Sequence, residues 1–323
     1  MQDTLPAVAQ PSAIAIPDDL LANLARFSQY AKGALSASTE KALRSDLRLF
    51  VDWCAKTGAA SLPASPETVA QFVEAMAATS APASIRRYLS SISTYHKAAG
   101  LPTPTATMEV RLTMKRIAKE KGTRQKQASP INRRVVDLMA EADRGTLRDM
   151  RDLAILAVAY DTLCRRSEIV ALDVEDFSFA EDGTGTVLVR RSKTDQEGAG
   201  SVRFIASDTV QSVKAWLDVV GISKGAAFRG LDNSDKVLAR LSDRGVARAF
   251  KRLAGLAKVD GEGISGHSCR VGAAQDMVGE GIELPAVMQA GGWRSPVMVA
   301  RYTEKLAVRR GAAAKLAAIQ NRL

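Results

Sequence analysis

A chain of 323 residues with 46% hydrophobic and 25% charged residues has the make-up of a water-soluble globular protein that can bury a full core in one or two domains. Its net charge of +10 is spread evenly: 15 Lys and Arg face 10 Asp and Glu up to residue 125, and 30 face 25 beyond it. Both halves are therefore suited to a polyanionic partner.

Three cysteines, Cys54, Cys164 and Cys269, lie far apart and only two histidines, His96 and His267, are present. That composition argues against a zinc site and predicts reduced thiols. The N-terminus lacks a basic region before its apolar residues, unlike a secretory signal. The most apolar run, LAILAVAY, is flanked by Arg151, Asp152 and Asp161 and is too short to cross a membrane. The expectation is a cytoplasmic protein with no cofactor, metal or membrane partner.

In chain order, residues 1–16 carry Pro6 and Pro11 among small residues and read as a disordered arm. Residues 17–121 read as helices only: Leu20 to Ala31; a segment from Ser38 to Gly58; Ser65-Pro66 onward; Ser84 to Gly100; and about Thr107 to Lys121. Lys41, Arg44 and Arg48 fall on one of these helices and Arg86 and Arg87 on another, where the plain alternative is a solvated face paired with Glu40 or Asp46. His96 reads as structural. Residues 122–130 are basic and poor in apolar side chains, as in a linker. From 131 to 323 come helices at Asn132–Ala142 and Thr146–Leu163 and three extended runs, LDVEDFSFA, GTVLVRRSK and SVRFIA. Everything from Asp208 onward reads as helical, with a last alanine-rich helix from about Leu306 to Leu323.

The stretch Ser265 to Tyr302 gathers the side chains that chemistry on a phosphodiester needs. His267 and Arg270 are three residues apart, on one face of a helix that begins near His267. A second short helix ends at Gly291 and Gly292, and Ser295-Pro296 opens a third with Tyr302 near its end. Singly, Tyr302 and Trp293 have packing explanations. Together, the H-x-x-R of His267 and Arg270, Trp293, and a tyrosine nine residues later resemble the tyrosine recombinase (phage integrase) family. The resemblance is closest to the branch with Trp at the penultimate place and with similar SGHS, RVGAA and MQAGGW runs. It extends, more weakly, through the N-terminal half.

The resemblance implies a mainly α fold with a small antiparallel β-sheet. A helical DNA-binding domain and a catalytic domain would form a two-lobed DNA clamp. Tyr302 would be the nucleophile, Arg165 and Arg270 a clamp on the phosphate, and Lys193, past a strand, the acid for the leaving 5′ oxygen. His267 would assist the phenol proton, and Trp293 would donate its indole N–H. The run CRRSEIVAL carries an Arg three residues before Glu168, which favours Arg165 over Arg166, with Glu168 supporting it. Lys41, Arg44, Arg48, Arg86, Arg87 and Arg244 would face double-stranded DNA with an inverted-repeat target. A homotetramer, monomeric when free, would exchange C-terminal helices in a bacterial or phage setting. A type IB topoisomerase-like enzyme and a catalytically silent DNA-binding regulator are the alternatives.

Overall fold

The computed structural model describes residues 18–192, 195 and 198–322. The expected N-terminal arm and Lys193 lie outside them. The chain divides into two compact units after Gln125. The first contains α1 (Asp18–Ala31), α2 (Ala37–Thr57), α3 (Pro66–Ala77), α4 (Pro82–Ala98) and α5 (Met108–Lys121). Its core is aromatic and β-branched. Phe50 and Phe72 meet edge to face at 5.0 Å and pack with Ile92, Val110 and Cys54. His96 is spent inside this core: Nε2 accepts from the Ala64 N–H at 3.0 Å, and Nδ1 lies 2.9 Å from the Ile92 carbonyl, so the pattern fits a neutral ring with its proton on Nδ1.

Two helix starts differ from the sequence reading. Ser36 caps α2 by accepting from the Thr39 N–H, which puts Ser38 inside the first turn. The fourth helix begins at Pro82, because proline at the first helical position loses no needed N–H.

The second unit is built around α7 (Leu147–Thr162), which packs against α9 (Ser207–Val220), α10 (Asp243–Leu256) and α11 (Ser268–Gly279). Before α7 comes α6 (Arg133–Glu141), capped by Asn132, and after it the short α8 (Arg166–Ala171). Strands β1 (Phe177–Phe179), β2 (Gly185–Val189) and β3 (Ser201–Ile205) form an antiparallel sheet in that order. Val187, Val189 and Ile205 face the core, while Leu188, Val202 and Phe204 face outward. Trp216, fully buried, donates its indole N–H to the Ala227 carbonyl.

The sequence reading missed the hairpin of β4 (Arg229–Leu231) and β5 (Val237–Arg240), whose strands are too short to show a period. The chain ends in α12 (Leu284–Gly291), α13 (Pro296–Arg310) and α14 (Ala312–Ile319). Tyr302 is thus in the middle of a helix rather than near its end. The expected single helix from Leu306 is broken at Gly311, whose extended backbone ends α13 and starts α14.

At the N-terminal end of α7, Asp149 and Asp152 are almost wholly buried and receive Arg252, Arg151 and the Arg144 side chain. Arg252 reaches across from α10 to both carboxylates, with Nε 2.7 Å from Asp152.

Candidate active site

The site is assembled at the other end of α7. Leu163, buried, takes a left-handed backbone (φ 50°, ψ 24°) just after the helix. For a non-glycine residue that conformation costs about 1 kcal/mol. It turns the chain so that Cys164 and Arg165 lead directly into α8, and it aims the Leu163 carbonyl at Arg270. The Arg165 guanidinium is 2.7 Å from Glu168, which also accepts the Arg165 backbone N–H at 2.8 Å. Both the orientation of Arg165 and the start of α8 therefore depend on one carboxylate. The neighbouring Arg166 is half exposed and pairs with Asp243 at 3.2 Å.

Arg270 comes from the first turn of α11, where Ile131 N–H bonds to the Ser268 carbonyl and Gly272 lets the Ile131 backbone approach too closely for any Cβ. It is 3% exposed. Its guanidinium donates to the carbonyls of Leu163 and Gly291 and lies over the Trp293 ring at 4.7 Å. Burial first, and then Arg165, lower its pKa to about 10, against the raising influence of Glu168 and Tyr302. The charge remains at neutral pH, and among the described residues no carboxylate is hydrogen-bonded to it.

Trp293 is held by Gly291, where a Cβ would lie about 2.0 Å from the indole ring. The indole meets the Tyr302 ring edge to face at 5.9 Å. Tyr302 is half-buried on α13, packed with Leu163, Ala273, Val287 and Val299. His267 stands, exposed, at the N-cap position of α11, and its side chain makes no capping hydrogen bond there. The protein around one side of its ring, then Arg270, Arg166 and Arg165, push its pKa below the ordinary value.

Arg165, Glu168, His267, Arg270, Trp293 and Tyr302 thus come together, from α7–α8, α11 and α12–α13. Arg203 on β3 was not anticipated. Its Nη1 donates to the carbonyls of Gln289 and Ala290 at the end of α12, while its buried Nε has no hydrogen-bond partner among the described residues. Nothing in the string VRFI signals this contact. Cys269 packs into the core, as expected. Among the described residues no three His, Cys, Asp or Glu are grouped as metal ligands, and no helix is long and apolar enough to cross a membrane.

In the first unit Lys41, Arg44 and Arg48 line one open groove with Ala37, Glu40 and Ser45. Arg86 is exposed. Arg87 is 2.5 Å from the buried Asp46, which also accepts from Ser91, yet half of its side chain stays in solvent. Arg244, at the start of α10, is exposed.

Comparison with known proteins gives this constellation its class. The Phage integrase family matches residues 131–309, and the phage integrase N-terminal SAM-like domain matches residues 24–100. The chain belongs to the phage integrase family of tyrosine recombinases. It is 33% identical to recombinase Cre of Escherichia phage P1 over 312 residues, covering 88% of each chain. It is 34% identical over 298 residues to an integrase/recombinase XerD homolog of Selenomonas ruminantium, covering 88% of this chain and 87% of that one. Among solved structures, a XerH site-specific recombinase bound to a palindromic difH substrate in a post-cleavage complex aligns with a TM-score of 0.66 at 16% identity, over 97% of this chain and 99% of that one. A lambda integrase tetramer bound to a Holliday junction aligns at 0.60 with 15% identity, over 88% and 76%.

Proposed function

We propose that this chain cleaves and rejoins double-stranded DNA at specific inverted-repeat sites through a 3′-phosphotyrosine ester. The observation that carries the reading is Arg270: a buried guanidinium held by two carbonyls over the Trp293 ring, which also meets the Tyr302 ring, with Arg165 near enough to lower its pKa. Such a cation is completed by an anion from outside, and a phosphodiester supplies two oxygens for planar forks to bridge.

In the reaction the Tyr302 hydroxyl oxygen bonds to phosphorus, and the bond from phosphorus to the 5′ oxygen breaks. The phenol proton passes to His267 or to water, and Lys193 protonates the departing 5′ oxygen. Arg165 and Arg270 stabilise the charge that builds on the non-bridging oxygens, with Trp293 donating its N–H. Glu168 fixes Arg165. Because one ester replaces another, a 5′ hydroxyl from a second duplex can attack in reverse, and neither ATP nor a metal ion is needed. Two rounds of exchange pass through a Holliday junction.

Lys41, Arg44, Arg48, Arg86, Arg87 and Arg244 supply DNA contacts, residues 122–130 act as the linker between a DNA-binding and a catalytic domain, and four subunits assemble on two sites in the cytoplasm. The C-terminal segment from about Leu306 to Leu323, whose helix α14 buries no side chain of its own, docks on a neighbouring subunit.

The test uses nicked genomic duplexes labelled at the 5′ end of the cleaved strand. Wild type gives a denaturant-resistant protein–DNA adduct and Tyr302→Phe gives none while still retarding the DNA. Absence of an adduct from wild type across all fragments overturns the reading.

A further inference from the structure

A carbonyl in mid-helix ordinarily answers to the amide four residues on. The Tyr302 carbonyl also receives two side-chain amides, from Gln275 at 2.8 Å and from Gln127 at 3.3 Å. Gln275 is on α11, the helix that carries Arg270. Gln127 is on the extended stretch before α6, which is itself fastened to the loop leading into His267. There Ser129 bonds to the carbonyls of Glu262 and Gly263, and Ile131 to that of Ser268. Gly263 has φ +77°, and a Cβ there would meet the Ser129 hydroxyl at 2.6 Å.

Helix α13 is also tied to α11 at its far end, where Arg310 donates to the carbonyls of Val278 and Gly279, but those bonds lie two turns from the nucleophile. The helix's buried side chains are Val299 and Thr303, and Thr303 spends its hydroxyl on its own helix. Apolar contact alone tolerates sliding, whereas hydrogen bonds at the nucleophile's own peptide unit define where its Cα sits relative to α11.

We propose that Gln275 and Gln127 are positioning residues for the Tyr302 nucleophile, linking its backbone to the segments that present Arg270 and His267. This rests on the function proposed above. Because attack requires alignment to within about an ångström, loosening the carbonyl costs about tenfold to a hundredfold in the cleavage step.

The experiment measures single-turnover adduct formation on a nicked duplex, with parallel DNA-binding and melting curves. The variants are Gln275→Met, which keeps the length without a donor, Gln275→Lys, which keeps an N–H donor, and Gln127→Met. Each duplex is made with an ordinary or a 5′-bridging sulfur leaving group. Sulfur departs without a proton, so it rescues a missing acid but not a misplaced nucleophile. Expected are binding and melting like wild type, slow cleavage by both Met variants on both duplexes, and recovery to within a few-fold in Gln275→Lys. Wild-type rates in the Met variants, or their rescue by sulfur, overturn the proposal. If Gln275→Met melts early, Gln127→Met alone decides. Failure of wild type to form any adduct instead removes the functional reading beneath it.

Discussion

Helix α7 has a buried arginine cluster at each end, and they are built oppositely. At the N-terminal end Arg151 and Arg252 meet Asp149 and Asp152 directly, and the carboxylates also lie where the helix dipole favours negative charge. At the C-terminal end Arg270 meets the Leu163 carbonyl, where the dipole favours a cation, and among the described residues no carboxylate bonds to it. In the first cluster every arginine meets a carboxylate, and the pairing serves stability. The second is held through neutral carbonyls and, on the function proposed above, leaves its charge for a substrate anion.

The sharpest way to break this contrast is to remove each cluster in turn. Arg270→Ala lowers the cleavage rate by about a thousandfold, as expected for losing a charge-stabilising donor, while the melting temperature holds or rises because an uncompensated buried charge has gone. Kinetics of adduct formation and calorimetry on the same preparation check both halves.

Asp149→Asn does the reverse. It leaves Arg252 and Arg144 short of a partner and destabilises the second unit by about 3 kcal/mol, read by denaturant unfolding. It also removes an acid transition. Burial raises the Asp149 pKa, but hydrogen bonds from Arg252, Thr146 and Arg144 outweigh it and hold the group at about 2. A depressed carboxylate contributes stability in full above its unfolded value and loses it as pH falls through the folded one. Wild type therefore loses this contribution between about pH 4 and pH 2, and the variant shows a shallower slope there.

A smaller effect is expected at Gly291. Gly291→Ala forces the Trp293 ring away from Arg270, costing about 1–3 kcal/mol of stability as overpacking, with quenching or shift of the Trp293 fluorescence as the readout. Smallest of all is Arg166→Ala. Its exposed pair with Asp243 contributes less than about 1 kcal/mol, and adduct formation stays near wild type, whereas Arg165→Ala loses it.

How legible these features are in the sequence follows from which atoms carry them. His267, Arg270, Trp293 and Tyr302 lie within one short span and are distinguished by their side chains, so their spacing reveals them. The partners that hold Arg270 are the carbonyls of Leu163 and Gly291, and every residue has a carbonyl; only the geometry selects these two. The left-handed turn at Leu163 has no glycine or asparagine to announce it. The break at Gly311 sits in a run of strong helix formers, where a single glycine is easily read through. Three strands of the sheet were visible through alternation and the Asp182-Gly183 turn, but β4 and β5 have too few residues for a period to register.

The first unit has its own acid fuse in His96. Burial drives that imidazole below its ordinary pKa, against the raising effect of its bond to Ile92, so the neutral ring contributes stability above about pH 6.5 and forfeits it as pH drops toward the folded value. Protonation deprives the Ala64 amide of its acceptor in the middle of an aromatic core. On gradual acidification the His96 contribution begins to fall below about pH 6.5, whereas that of Asp149 begins to fall only below about pH 4.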